Sequence, residues 1–222
     1  LDIYGARVST DGVILDPTGI PISTLINNQY APEIIFDGTN YFIVWNDERS
    51  GWGEGDIYGA RVSTAGVVLD PTGIPINTMG NRQWLPHIVF DGTNYLVVWE
   101  DYRSGYDCDI YGARITAAGT VLDPNGIPIS NAIYDQVNPQ LSFDGTNYFV
   151  AWDDDRGSNP NIYGARIDTA GTVLEPNGFK ICPISNAEKQ LPSVVFDGAN
   201  FFVAWTDYRF DGDIYGARVD TA

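Results

Sequence analysis

Residues 36–49 read Phe-Asp-Gly-Thr-Asn-Tyr-Phe-Ile-Val-Trp-Asn-Asp-Glu-Arg, and residues 56–61 read Asp-Ile-Tyr-Gly-Ala-Arg. The first stretch opens as a turn, because Asp and Asn hydrogen-bond their own backbone and Gly supplies a positive φ. It runs into residues rich in aromatic and β-branched side chains, the composition of a strand. The same phrase returns at Phe90, Phe143 and Phe196, at spacings of 54, 53 and 53. Each copy ends on Trp-x-Asp-x-Arg, at Trp45/Asp47/Arg49, Trp99/Asp101/Arg103, Trp152/Asp154/Arg156 and Trp205/Asp207/Arg209. Asp-Ile-Tyr-Gly-Ala-Arg stands at 2–7, 56–61, 109–114 and 213–218, and Asn161 opens a fifth copy at 161–166. Leu-Asp/Glu-Pro follows the first four of these, at Leu15, Leu69, Leu122 and Leu174. A repeat of this period over the whole chain marks an array of like supersecondary units.

Each unit reads as four short strands. Strand a is Pro32–Phe36 and strand b is Tyr41–Trp45. A longer loop, 46–55, leads to strand c at Asp56–Val62, and a tight turn at Thr64-Ala65-Gly66 leads to strand d at Val67–Leu69. A Pro/Gly-rich stretch, Asp70–Leu85, returns to the next strand a. Gly and Pro interrupt every window of helix length. The pattern predicts an all-β chain, a β-propeller of four-stranded antiparallel blades. Strand a is apolar on both faces (Ile34, Ile35, Phe36), as an inner strand between blades should be. Four copies of strands a and b predict four blades in one domain, with units at about 1–31, 32–85, 86–138, 139–191 and 192–222, the first and last partial. The ring is expected to close by pairing N- and C-terminal strands, Val13–Leu15 completing the blade begun by Pro192–Trp205. One strand c, Asp2–Val8 or Asp213–Val219, is then surplus, which fits either a fragment of a longer array or a redundant closing strand.

The order Phe-Asp-Gly, apolar strand, Trp-x-Asp-x-Arg, short loop, Asp-Ile-Tyr resembles the repeats of TolB-type propellers, with their Pro-Asp-Gly … Ser-Asp-Arg … Asp-Ile-Tyr pattern. The match covers the first half of each unit. The resemblance implies a propeller and does not imply TolB's partners. TolB-like domains are usually six-bladed, and Gly-Ala-Arg and the Leu-Asp-Pro-x-Gly-Ile-Pro-Ile segment lie outside their pattern. The blade count resembles hemopexin-like domains, whose repeat motifs are absent.

Composition excludes whole classes. The chain has 222 residues, 12 Lys+Arg against 29 Asp+Glu, one His and a formal net charge of −17. Nucleic acid and anionic membrane surfaces call for a basic footprint, so neither is an expected partner. No apolar run has the length of a membrane span. With 44% hydrophobic and 13% aromatic residues the chain should fold despite its charge. It starts at Leu1 without a signal peptide, which reads as a mature or excised piece of a larger secreted or cell-surface protein of prokaryotic type.

Comparing the repeats with one another separates scaffold from site. Nine of the ten arginines recur, and Asp and Arg two apart at a strand end can share a face and pair. The four recurring Trp are expected in inter-blade core. Sixteen of the 29 acids are scaffold, and ten of the rest fall in b–c loops or d–a connections: Glu33, Glu48, Glu54, Glu100, Asp107, Asp135, Asp153, Asp155, Glu188 and Asp211. Both connections emerge at one end of a propeller, so the excess charge is expected on one face, where a ligand would bind. The competing reading is an acidic surface kept for solubility.

Glu33, His87, Gln140 and Ser193, which enter strand a, should ring the mouth of the central channel, with Tyr30, Trp84, Glu100 and Asp153 around them. Just before them Gln29, Gln83, Gln136 and Gln190 recur. Aromatics beside carboxylates and amides suit a glycan, and they suit a protein partner equally. One His and one Glu are too few for zinc. An acid-x-Asp pattern, Glu54/Asp56, Asp107/Asp109 and Asp211/Asp213, offers oxygen ligands to Ca²⁺, the one cofactor suggested; its alternative is an Asp capping strand c. Cys108 and Cys182 admit a disulfide or two free thiols. No Ser-His-Asp set or phosphate-cradling loop is present. Near-identical blades favour a non-enzymatic binding or scaffold module holding a glycan, a protein or a cation. A structural segment of a larger surface protein comes next, and a propeller-type glycosidase or lyase third.

Overall fold

The computed structural model describes residues 1–183 and 187–221. Among these there is no helix, and the strands form five antiparallel sheets in chain order. The first has two strands, β1 (Ile3–Gly5) and β2 (Ile20–Ser23). Three complete sheets follow: β3 (Gln29–Phe36), β4 (Asn40–Asp47), β5 (Asp56–Ser63) and β6 (Ile74–Asn77); β7 (Gln83–Phe90), β8 (Asn94–Asp101), β9 (Asp109–Thr116) and β10 (Ile127–Ser130); β11 (Gln136–Phe143), β12 (Asn147–Asp154), β13 (Asn161–Asp168) and β14 (Phe179–Lys180). The last sheet has three strands, β15 (Lys189–Phe196), β16 (Asn200–Asp207) and β17 (Asp213–Asp220).

The four-strand unit therefore stands, and its closure does not. β2 pairs with β1, and β17 pairs only with β16. In place of the expected pairing between the two chain ends, β2 pairs with β1, its neighbour in sequence. Strand d is also displaced. Val67–Leu69 contributes a single bridge, Val62 to Val68, and the fourth strand is the Ile-Pro-Ile segment further on. Its Pro sits on an edge, where a missing N–H breaks no ladder.

Each inner sheet is apolar on both faces. Phe42 and Val44 point toward the third sheet and pack with Ile57 and Ile76 against Tyr95, Val97 and Trp99. Ile43 and Trp45, one residue out of phase, pack with Ala60 and Val62 against Ile3 and Ile22 of the first sheet. The same contact recurs at the next two junctions. Gly59 is demanded by this packing, since a Cβ there would lie 2.6 Å from Phe42 and 3.0 Å from the Ile43 carbonyl oxygen.

The recurring polar residues form two closed devices. In the first, the buried Asp47 carboxylate accepts the Trp45 indole N–H at 2.8 Å and the Arg49 Nε at 2.8 Å. The Arg49 guanidinium lies 3.8 Å over the Tyr58 ring and donates to the Thr72 carbonyl oxygen. Gly73, at φ 72°, leaves room for this stack, since a Cβ would stand 3.2 Å from both Trp45 and Tyr58. Asp101, Asp154 and Asp207 repeat the Arg pairing with Arg103, Arg156 and Arg209. In the second device Arg61 of β5 holds Asp70, nine residues on, through Nε and Nη2, both at 2.9 Å. Arg7–Asp16, Arg114–Asp123 and Arg166–Glu175 do the same. Nine recurring arginines are accounted for except Arg218.

Removing one partner of a buried, hydrogen-bonded ion pair typically costs about 3–5 kcal/mol. Asp101→Ala strands both Trp99 Nε1 and the Arg103 guanidinium, and is expected to lower stability by that amount in urea unfolding. A loss under about 1 kcal/mol, the size of an exposed pair, would show that the carboxylate does not hold the blade.

Candidate functional site

The inner strand of each sheet is bulged near its start. Register against strand b runs Tyr30↔Asn46 and then Glu33↔Val44, with shifts at the same place in β7, β11 and β15. The bulged residues Ala31, Leu85, Asn138 and Leu191 have φ of 51°, 49°, 54° and 58°, and each precedes a proline. A residue before proline ordinarily sits in extended conformation, so this backbone is strained and something must hold it. The holding group comes from the preceding sheet. The Leu85 N–H donates to Asn46 Oδ1 at 3.0 Å, Asn138 N–H to Glu100 Oε1 at 2.8 Å, and Leu191 N–H to Asp153 Oδ2 at 3.2 Å.

Downstream of the bulge lie the four residues expected at the channel mouth. Three of them form a row across adjacent inner strands. His87 Nδ1 lies 3.9 Å from Glu33 Oε1, and Gln140 Nε2 lies 2.9 Å from His87 Nε2. The contacts fit the Nδ1–H tautomer, with Nε2 accepting from the amide. Burial draws the His87 pKa below its ordinary value against the opposing pull of Glu33, so the imidazole is neutral at pH 7. Ser193 occupies the equivalent exposed position on β15, opposite Ala204.

Glu100 and Asp153 are placed differently from the mouth residues. Both are buried, and Asn138 joins them: its backbone N–H goes to Glu100 and its Nδ2 to Asp153 Oδ2 at 2.7 Å. Burial raises the Glu100 pKa and pushes Asp153 up to about 7. Asp153 Oδ1 is buried with no hydrogen-bond partner among the described residues. At the same position in the second sheet, Asn46 fills both roles, accepting from Leu85 N–H and donating from Nδ2 to the Gln83 carbonyl oxygen at 2.7 Å. A protonated Asp153 has the donor that Asn46 carries. Asn138 is a site residue the repeat comparison passed over; its signal was the recurring Pro that follows it and the departure from Ala or Leu.

The free acids are not all on the surface. Glu48 is buried too, accepting Asn28 Nδ2 at 2.9 Å and the Tyr30 hydroxyl at 3.4 Å. Trp84 packs under Arg82, 4.5 Å from the guanidinium, with its indole N–H buried and unpartnered among the described residues. The loops nevertheless converge at one end. The b–c loop residues Glu48, Tyr102, Asp155 and Tyr208 each donate a backbone N–H to the d–a connection that leads into their own sheet. Gln83, Gln136 and Lys189 reach back to the b–c loop of the preceding sheet. Lys189, not Gln190, therefore holds the recurring Gln position; its ammonium is buried and donates to the Ala187 carbonyl oxygen at 2.9 Å.

Of the acid-x-Asp residues, Asp56 accepts from Ser50 Oγ at 2.9 Å, Asp107 from Tyr134 N–H, and burial pushes Asp109 up to about 6. Glu54, Asp211 and Asp213 lie on exposed loop or strand-start positions. Among the described residues no three His, Cys, Asp or Glu are grouped to hold a metal ion. Asp107, Asp135, Asp155 and Tyr134 line one open hollow. Cys108 and Cys182, both buried, are not joined in a disulfide. Exposed aromatics crown the loops: Trp52 and Tyr106, with Phe210 beyond them, are 77%, 94% and 75% exposed.

No family model matches this chain, and no curated protein matches it. Solved structures do. A thermostable family-43 glycoside hydrolase superposes with a TM-score of 0.56 at 14% identity, over 88% of this chain and 73% of that one. The GH43_1 enzyme from Xanthomonas citri complexed with xylotriose gives 0.54 at 10%, over 87% and 74%. An endo-1,4-beta-xylanase from Bacteroides thetaiotaomicron gives 0.51 at 11%, over 90% and 75%. Two longer glycoside hydrolases are spanned over only 40% and 47% of their length. These neighbours are five-bladed β-propellers, and at such identities the likeness speaks for the fold. All-β sheets of propeller type are thus shared, while five successive sheets replace the four-bladed ring.

Asp153 gives a pH signature. Its folded pKa is raised from 3.8 to about 7, so its share of stability is whole below pH 4 and is lost as pH rises through 7. Asp153→Asn supplies the Nδ2 donor permanently. It is expected to raise Tm by several degrees at pH 8 and to change it little at pH 4, read by thermal melts of both proteins. Equal shifts at both pH values would remove Asp153 as the titrating group.

Proposed function

We propose that this chain is a carbohydrate-directed propeller that takes a glycan at the loop end of its channel. The observation that carries this is the Glu33–His87–Gln140 row. It stands where the repeats differ from one another, on a scaffold otherwise nearly identical from unit to unit. A carboxylate, a neutral imidazole and an amide side by side present the mixed donors and acceptors that sugar hydroxyls need. The exposed Trp52, Tyr106 and Phe210 on neighbouring loops offer apolar faces for pyranose stacking. The shared fold with glycoside hydrolases, one of them holding xylotriose, supports the choice of ligand class. A secreted or cell-surface setting accords with such a ligand.

A second reading is hydrolysis, and the fold neighbours favour it over a purely structural role. The specific observation is the Glu100–Asn138–Asp153 cluster. Glycosidases need one carboxyl kept protonated near neutral pH and a second that is ionised. Asp153, raised to about 7 by burial, meets the first requirement, and Glu33 of the neighbouring row is the candidate for the second carboxylate.

Titration with xylotriose and related oligosaccharides separates these. Binding that weakens at least about tenfold, or about 1.4 kcal/mol, in Glu33→Gln and His87→Ala at unchanged Tm supports the glycan site. Absence of binding to xylo-, arabino- and gluco-oligosaccharides overturns it. Release of reducing sugar that is abolished in Asp153→Asn while binding persists makes the chain a hydrolase; binding without release leaves a lectin-like module.

A further inference from the structure

One arginine stands outside the repeated scaffold. Eight of the ten each hold a carboxylate. Arg82 holds none among the described residues, and its guanidinium lies instead over two rings, 4.5 Å from Trp84 and 4.2 Å from Tyr102. It sits just before the recurring Gln, where the other units carry Asn28, Asp135 and Glu188, so it belongs to the part of the sequence that changes from repeat to repeat. Its backbone is tied to the facing loop. The Tyr102 N–H donates to the Arg82 carbonyl oxygen at 3.0 Å, and Asn81 Nδ2 donates to the Tyr102 carbonyl oxygen at 3.2 Å.

A guanidinium stacked through its faces keeps its N–H edges for hydrogen bonds. Arg82 lines a hollow of about 310 Å³ together with Glu54, Asn81, Tyr102 and Tyr106. The acids nearby are engaged elsewhere. Glu48 accepts from Asn28 Nδ2, the Tyr30 hydroxyl and the Gly53 N–H. Glu100 accepts the Asn138 N–H, and burial disfavours its ionised form. Glu54 is exposed and turns its carboxylate over Gly51, where an added Cβ would meet Oε2 at 3.3 Å. The charge of Arg82 is thus held in place without an ion-pair partner. In a chain of net charge −17 it makes a local point of attraction for an anion.

We propose that Arg82 forms a subsite for a carboxylate-bearing sugar, so that the glycan taken by this chain carries a uronic acid. The inference rests on the glycan reading above and narrows it. Carboxylate and guanidinium are both planar and pair through two parallel hydrogen bonds. A guanidinium already stacked on two rings loses little further freedom in making them. Asn81 Oδ1 and the Glu54 carboxylate, on the walls of the same hollow, can accept from the hydroxyls of that sugar. The Tyr106 ring, 94% exposed, offers an apolar face beside them. Arg82 immediately precedes β7 and stands five residues before His87. At the rise of a strand that is no more than about 17 Å, so one short oligosaccharide reaches both Arg82 and the Glu33–His87–Gln140 row.

Isothermal titration of the full chain tests this with xylotriose, with xylotriose substituted by glucuronic acid, and with the same substituted sugar after reduction of its carboxylate to a hydroxymethyl group. The wild type is expected to bind the uronic acid form at least about tenfold tighter than its reduced counterpart. Arg82→Gln should bring that ratio to about one while leaving xylotriose binding unchanged, and Arg82→Lys, which keeps the charge and loses the planar fork, should retain part of it. Thermal melts check that both variants are folded, and the wild-type ratio is decisive without them. Equal binding of the two substituted sugars by the wild type overturns the subsite and leaves the glycan reading standing. A ratio that survives Arg82→Gln assigns the carboxylate to another group and also overturns it. Binding of none of the three sugars overturns the subsite and the glycan reading together.

Discussion

The constraint on which everything else rests is that each inner sheet is apolar on both of its faces. Alternation along β4 sends Phe42 and Val44 one way and Ile43 and Trp45 the other, and all four are buried. Such a sheet cannot face water on either side. It must be followed by another like it, and that requirement explains why one unit is copied along the chain. Two-sided burial also leaves no room for a purely local fold: no unit has a core of its own, and every core cluster joins residues of two successive sheets.

Stacked apolar sheets would slide without polar pins, and the recurring charged residues are those pins. Asp47, Asp101, Asp154 and Asp207 are fully buried, a position tolerable only because each is gripped by an Arg through more than one hydrogen bond. Arg7, Arg114 and Arg166 also donate across the junction, to the Thr64, Thr169 and Thr221 carbonyl oxygens of the following unit. A formal charge of −17 thus overstates how negative the surface is. Part of it is neutralised inside the scaffold, and Glu48, Glu100 and Asp153 are buried where loops and bulges meet.

What could be read from the sequence follows the range of the interaction responsible. Turn, strand b and strand c were legible because their signals are local and are repeated four times over. The Asp–Arg pairing was legible because its partners are two residues apart. The fourth strand was misplaced because Val67-Val68-Leu69 looks more like a strand than Ile74-Pro75-Ile76 does, yet the pairing with β5 goes to the latter. The expected pairing between the two chain ends is not seen, because β2 takes β1 as its partner and β17 pairs only with β16, a choice between identical strand-c sequences that no local pattern decides. Lys189 was missed since it carries a charge where the other units carry Gln, and only the register against β16 reveals the equivalence.

The candidate site follows the same logic in reverse, since it is found where the repeat breaks. The bulge before each inner-strand proline is common to all four units, and at Leu85, Asn138 and Leu191 its N–H is satisfied from the preceding sheet. An amide such as Asn46 does this at no electrostatic cost. Glu100 and Asp153 do the same job with groups whose burial disfavours their ionised forms. A scaffold role alone gives no reason to replace a satisfied amide by a carboxyl with a stranded oxygen. The replacement occurs in the two units that flank Gln140 and the Asn138 bridge, next to the only His of the chain. Departures from the repeat thus gather around Glu100, Asn138 and Asp153, where buried carboxyls replace the amide that serves the same bulge in the second sheet.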